Sequence, residues 1–298
     1  MSIRVTQNTT ADVMLQVIET SYGRFQSLSA QISTGLAITK PSDNPSGAVQ
    51  VMSYNADITR LGQYQTNAND GLAWLGSADN VLASVNSQLQ RVQTLVQQGA
   101  NATTDAPGRL AIANEIDSIK QTLLADANTS YLGRPIFGGT TGGTTAYDAN
   151  GNYVGDSGAV NRTVAPGTSV QVNVLGTDAF GTGATNVFSV LTQLSSDLRS
   201  SNPATVAGVG TTDLTAVQQS MTLVQNAQAT IGSRYNELQS LQTEALARQT
   251  TLTTARSSVA DLDLAKAETE LSTQQLTYQA ALQATARVLS LSLSEFLK

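Results

Sequence analysis

Asp148, Asn150, Asn152 and Asp156 follow one another at the short intervals at which oxygen ligands surround a calcium ion. The glycine such a loop needs falls one place early, at Gly151, and no glutamate closes it, so the stretch reads as a hairpin turn on Asn150-Gly151. Gly138-Gly139-Thr140-Thr141-Gly142-Gly143-Thr144 has the glycines of a phosphate cradle but neither its lysine nor a strong strand before it, and reads as a turn. Asp261 and Asp263 stand two apart, on different faces of any helix, which makes a poor acid/base pair. They are either solvated or begin a helix. The chain has no histidine and no cysteine. That removes the commonest general base, the thiol nucleophile, zinc-thiolate sites, Ser-His and Cys-His arrangements, and any disulfide framework. Only a hydrolase working with carboxylates alone is left to argue for. The expectation is a protein that is not an enzyme, with no catalytic, cofactor-binding or metal-binding residue and no cofactor.

Of 298 residues, 13% are charged, about half the usual quarter. Lys and Arg number 16 against 22 Asp and Glu, a net charge of −6. Little basic surface is left to neutralise phosphates, so no nucleic-acid partner is expected. No run of 18 uninterrupted apolar residues occurs, so no membrane insertion is expected. Met1 to Leu15 lacks a basic start, an apolar run and a small-residue cleavage site, so no cleaved secretory signal is expected. Yet a polar, weakly charged, cysteine-free composition suits an extracellular setting, and a secreted chain of this kind needs another exit route.

The elements that carry these residues are organised by glycine. Twelve of the 23 glycines lie between Gly133 and Gly183, and no proline follows Pro203. The chain therefore reads as a helical arm, a glycine-rich middle and a second helical arm. In the first arm Met14, Ile18, Phe25, Leu28 and Ile32 form one helical stripe, ended by Gly35 and the turn cluster Lys40 to Pro45. Val51, Ile58, Leu61, Ala68, Leu72, Leu75, Leu82, Val85, Leu89, Val92 and Val96 then step by three, four or seven, the repeat of a coiled-coil seam. A helix of about 50 residues would run roughly 75 Å. Ile112, Ile116, Ile119 and Leu123 make a third stripe.

In the second arm, a short helix over Val187, Leu191, Leu194 and Leu198 precedes a stripe from Leu214 through Val217, Val224, Ile231, Leu238 and Ala245 to Leu252. The register slips near Ser257 to Asp263. A last stripe follows through Leu264, Leu271, Tyr278, Leu282, Leu289, Leu293 and Phe296. The middle reads as β, with the Asn150-Gly151 hairpin and the alternating Val170, Val172 and Val174 of a half-buried strand.

The expected fold class is mainly α: a long antiparallel helical coiled-coil or bundle rod formed by the N- and C-terminal arms, with a small inserted β domain. The expected divisions are terminal helices at 1–42 and 257–298, a helical rod at 43–135 and 187–256, and a β-rich insert at 136–186. The terminal stripes hold too few apolar side chains to offset the ordering of their own backbone. They are therefore expected to become ordered on assembly, with subunit contacts at Met14, Ile18, Phe25, Leu28, Ile32, Leu271, Tyr278, Leu282, Leu289, Leu293 and Phe296.

The string Leu28-Ser29-Ala30-Gln31-Ile32-Ser33-Thr34-Gly35-Leu36, with Lys40-Pro41-Ser42-Asp43-Asn44-Pro45-Ser46-Gly47-Ala48, resembles a signature of the flagellin superfamily. The tail from Leu262 to Leu297 is similar to the terminal helix of that superfamily. Within it, Gly133-Arg134-Pro135-Ile136-Phe137-Gly138-Gly139 and the ending Leu291-Ser292-Leu293-Ser294-Glu295-Phe296-Leu297 resemble the branch that joins hook to filament more than the branch that builds the filament; Pro135 departs from the aromatic residue usual there. The resemblance implies export in an unfolded state through the flagellar type III system on an uncleaved N-terminal signal. It also implies an extracellular homo-oligomeric ring between the first hook-associated protein and flagellin, with an export chaperone as a further partner. A filament subunit is the alternative. A secreted coiled-coil adhesin with a carbohydrate-binding β insert is the alternative from another class.

Overall fold

The computed structural model describes the backbone of residues 7–296 and the side chains of residues 12–287. The chain falls into two units: Leu61–Ala247, and the residues up to Arg60 together with those from Arg248 onward.

The Leu61–Ala247 unit is built on segments of two long helices, α2 (Pro45–Gly99) and α7 (Leu214–Ala260), and on α3 (Ala106–Ala127) and α5 (Val187–Leu198). While Val51, Ile58, Leu61 and Leu72 are half-buried, the later part of the coiled-coil repeat of α2 becomes the core: Leu75, Leu82, Val85, Leu89, Val92 and Val96 have no exposed surface. Ile116 and Leu123 of α3, Leu191 and Leu194 of α5, and Val224 and Leu238 of α7 close over them in one apolar cluster. Burial of this kind is the main favourable term in holding long helices together, since helix propensity alone leaves them marginal. Asp105 caps α3 by accepting from the Gly108 amide at 2.9 Å. Polar ties lie at the rim: Arg199 of the α5 C-terminus donates to Asp117 at 2.7 Å and Asn114 at 2.8 Å.

The middle of the chain contains two separate two-stranded antiparallel ladders, β1 (Ser130–Tyr131) with β2 (Arg134–Pro135) and β3 (Asn161–Ala165) with β4 (Thr168–Gln171). An isolated bridge joins Tyr147 to Tyr153 across the expected Asn150-Gly151 turn. Val172 and Val174 lie past the end of β4 but are buried like Val170. The sheet is smaller than the valine alternation suggests because polar side chains take over the backbone groups. Asn128 Oδ1 accepts from the amides of Ala146 and Tyr147, each at 2.8 Å, and Asn173 Oδ1 accepts from Val160 N at 2.8 Å. The insert is pinned to α7 by Arg234, whose guanidinium donates to Asn173 O at 2.6 Å and Gln171 Oε1 at 3.2 Å. Inside it, Tyr147 packs edge-on to Phe188, Tyr153 and Phe180, with centroids 5.0 to 5.6 Å away. A short helix, α4 (Gly176–Phe180), brings in Phe180, and α6 (Pro203–Gly208) leads through a π turn at Val209–Asp213 into α7.

The second unit holds α1 (Gln7–Thr34), the first turns of α2, the last turns of α7, and α8 (Leu264–Phe296). The register slip expected near Ser257–Asp263 is an interruption between two helices: α7 ends at Ala260 and α8 begins at Leu264. Asp263 starts that helix, accepting from the Lys266 amide at 3.1 Å.

Candidate assembly interface

Two crossovers position the terminal helices. Gly35 ends α1 in the left-handed region (φ +71°), which glycine adopts without penalty, and its amide reaches back to Gln31 O at 2.8 Å. The segments then bond to each other: Ala37 N donates to Ala260 O at 2.7 Å and Leu262 N donates to Gly35 O at 2.9 Å. The Lys40–Pro45 turn is organised by Asp43, which accepts from Thr39 Oγ1 at 2.8 Å, Lys40 N at 3.0 Å and Thr39 N at 3.1 Å. Those bonds, the Thr39 hydroxyl first, hold the Asp43 carboxyl below its ordinary range. Asn44 caps α2 by accepting from Gly47 N at 3.0 Å. A Cβ on Gly47 would come within 2.6 Å of Ile38 Cδ1, so the buried position accepts only glycine without a shift.

Beyond the crossovers α1 and α8 pack antiparallel. Gln274 Nε2 donates to Ser21 O at 3.1 Å, the Tyr22 and Tyr278 rings meet at 5.8 Å, and Leu28 shares an open groove with Thr269 and Thr273. The groove rim carries Arg24 and Glu270. Lys266 and Glu270 approach at 3.9 Å in the open, a pairing worth little to stability.

The stripe residues line this pair without being covered by it. Met14, Ile18, Phe25, Leu28 and Ile32 are half-buried, as are Leu271 and Tyr278, and Leu282 is 42% exposed. Leu289, Leu293 and Phe296 continue the α8 backbone, but their side chains lie outside the described residues. The full burial of the α2 seam is not reached in this pair, where only small residues such as Ser21 and Ala267 are buried. Two helices cover only the narrow line between them, and these helices carry a wider apolar arc. Val13, Val17 and Leu276 are 54%, 50% and 69% exposed and were not among the expected contacts. The sequence does hold a signal for two of them: Val13 and Val17 are four apart and each precedes a stripe residue, which widens the arc. Leu276 gives none, because the step of seven from Leu271 to Tyr278 passes over it.

Exposed apolar side chains along a thinly covered helix pair are suited to lateral helix packing against further protein. Among the described residues, no three His, Cys, Asp or Glu side chains are placed to hold a metal ion, and no helix is long and apolar enough to cross a membrane.

The bacterial flagellin N-terminal helical region matches residues 5–141, and the bacterial flagellin C-terminal helical region matches residues 214–297. The chain is 27% identical over 288 residues to the flagellin of Bacillus subtilis (strain 168), covering 94% of each chain. It is 24% identical over 302 residues to flagellar hook-associated protein 3 of Escherichia coli (strain K12), covering 94% of this chain and 95% of that one. The fold is similar to a solved chain described as a flagellar hook-associated protein from Vibrio parahaemolyticus. The TM-score is 0.68 at 24% identity, over 74% of this chain and all of the other.

Proposed function

The chain belongs to the bacterial flagellin family, and on that footing we propose that it is a structural, hook-associated subunit of the flagellum that forms the junction ring between hook and filament. The observation that carries the assembly reading is the terminal pair, whose apolar stripes are half-buried and flanked by exposed Val13, Val17 and Leu276. In this reading α1 and α8 form an inner layer whose remaining apolar surface is covered by neighbouring copies. The neighbours above and below are the first hook-associated protein and flagellin, and the chain has three divisions: terminal helices at 1–42 and 257–298, a helical rod at 43–135 and 187–256, and a β-rich insert at 136–186. The chain leaves the cell unfolded through the flagellar type III system, with a chaperone covering the terminal segments beforehand. The absence of cysteine suits such a passage, since no covalent loop has to be opened.

Full-length similarity to the flagellin of Bacillus subtilis supports a second reading, a filament subunit. The two separate on one experiment. A junction protein, once purified, stays short of filaments on its own and needs hook ends to assemble. Long filaments grown from the purified chain alone would establish the filament reading instead. Removal of residues 285–298 is expected to leave a soluble helical protein that is not incorporated, and normal incorporation would overturn the role given to the terminal pair.

A further inference from the structure

Asn150-Gly151 is the one Asn-Gly pair in the chain, and Asn150 is exposed. Asparagine is a thermolabile residue, and a following glycine makes it more so by leaving its nitrogen unscreened. In a mobile chain the Gly151 nitrogen attacks the side-chain amide carbon of Asn150. The new N–C bond forms as the Gly151 N–H proton is lost and the amide nitrogen leaves as ammonia. Water then opens the cyclic imide at either carbonyl. One opening leaves aspartate; the other leaves isoaspartate, with the backbone routed through the former side chain.

The fold holds both partners of that attack away from it. Gly151 N donates to Asp148 O at 3.0 Å, and Asp148 N donates to Asn152 O at 3.0 Å, closing a tight turn. Inside the turn Asp148 Oδ1 accepts from Asn150 N at 2.8 Å and Asn152 N at 2.9 Å, and Asp148 Oδ2 accepts from Asn152 Nδ2 at 2.9 Å. Swinging the Asn150–Gly151 peptide towards the Asn150 side chain would break the Gly151–Asp148 bond. Gly151 is itself buried between exposed neighbours, in the left-handed region (φ +84°). A Cβ there would run into Phe188, and Gly151 O accepts from Asn186 Nδ2 at 3.2 Å. Asn186 in turn caps α5, accepting from Phe188 N at 2.8 Å.

We propose that Asn150 is a site of hydrolytic modification that the fold keeps shut. It loses its amide while the chain is unfolded and is protected once the insert has closed. An isoaspartate formed beforehand prevents that closure, because it lengthens the turn by one backbone bond, about 1.5 Å. Gly151 then no longer fits against Phe188 and Asn186. Aspartate at the same exposed position leaves the backbone path unchanged and is tolerated. The site acts in the same way whatever the subunit assembles with.

The full-length protein, folded in buffer or unfolded in guanidinium at the same mildly alkaline pH, tests this by peptide mass spectrometry at residue 150. Amide loss is expected to be roughly tenfold or more slower in the fold, as for a group that reacts only through local opening. Equal rates would overturn the protection. Asp148→Ala removes the carboxylate that organises the turn, and with Trp74 emission showing the core intact it is expected to speed amide loss in the folded protein. A rate as slow as that of the unchanged protein would overturn the part given to the turn. Chains aged in guanidinium and returned to buffer separate by chromatography into aspartate and isoaspartate forms. The isoaspartate form is expected to exchange the amides of residues 146–153 rapidly, while Asn150→Asp exchanges them as slowly as the unchanged protein. Slow exchange in the isoaspartate form would overturn the block on closure.

Discussion

Tyr22 of α1 and Tyr278 of α8 meet with ring centroids 5.8 Å apart and planes tilted by 36°, next to the Gln274–Ser21 hydrogen bond. Tyr22 remains 46% exposed, so the contact fixes the register of the two helices more than it buries them. Tyr278→Ala is expected to speed amide exchange along α1 and α8, removing a ring contact of about 1 kcal/mol. Fluorescence from Trp74, the chain's one tryptophan, which is 2% exposed in the other unit, is expected to be unaffected. Exchange mapped by mass spectrometry checks both halves.

Leu89 has no exposed surface and stands in the middle of the α2 seam. Leu89→Ala is expected to destabilise the Leu61–Ala247 unit by about 2–5 kcal/mol, the cost of a core truncation whose cavity only partly collapses. Denaturant unfolding followed at Trp74 reads this directly. Surface positions of the terminal pair should behave in the opposite way. Val17→Ser and Leu276→Ser are expected to change monomer stability by no more than about 0.5 kcal/mol, while incorporation into flagella drops.

Asp213 ends the π turn before α7, is 8% exposed, and has an Oδ2 without a hydrogen-bond partner. Burial first, and then the charge of Asp197, pushes its carboxyl from 3.8 up to about 6. The fold therefore favours the neutral form. The stability this group contributes is complete below its ordinary value near 3.8 and is lost as pH rises through about 6. Asp213→Asn is expected to raise stability at pH 7 by roughly 1–2 kcal/mol and to flatten the slope between pH 4 and 7. Urea titrations of both proteins across that range test the sign.

The long helices were legible because their apolar spacing is local and regular. Leu75 to Val96 could be placed in a core from their steps of three, four and seven, and the break before Leu264 followed from the slipped register. The insert was legible only in part, because its order depends on single polar side chains reaching far along the chain. Asn128 serves Ala146 and Tyr147, and Arg234 serves Asn173. No periodicity records such bonds. At the terminal pair the spacing identified the stripe but not its width. Val13, Val17 and Leu276 stand out only once the α1–α8 pairing shows which side chains it leaves uncovered.

The central claim is that neighbouring copies cover the apolar faces of α1 and α8. Hydrogen exchange over residues 12–34 and 264–287, compared between the isolated single copy and the same protein in assembled flagella, tests it most directly. Exchange is expected to be fast in the single copy and to slow by orders of magnitude on assembly, while the core of the Leu61–Ala247 unit stays equally protected in both. Equal protection of the terminal helices in both states would contradict the account.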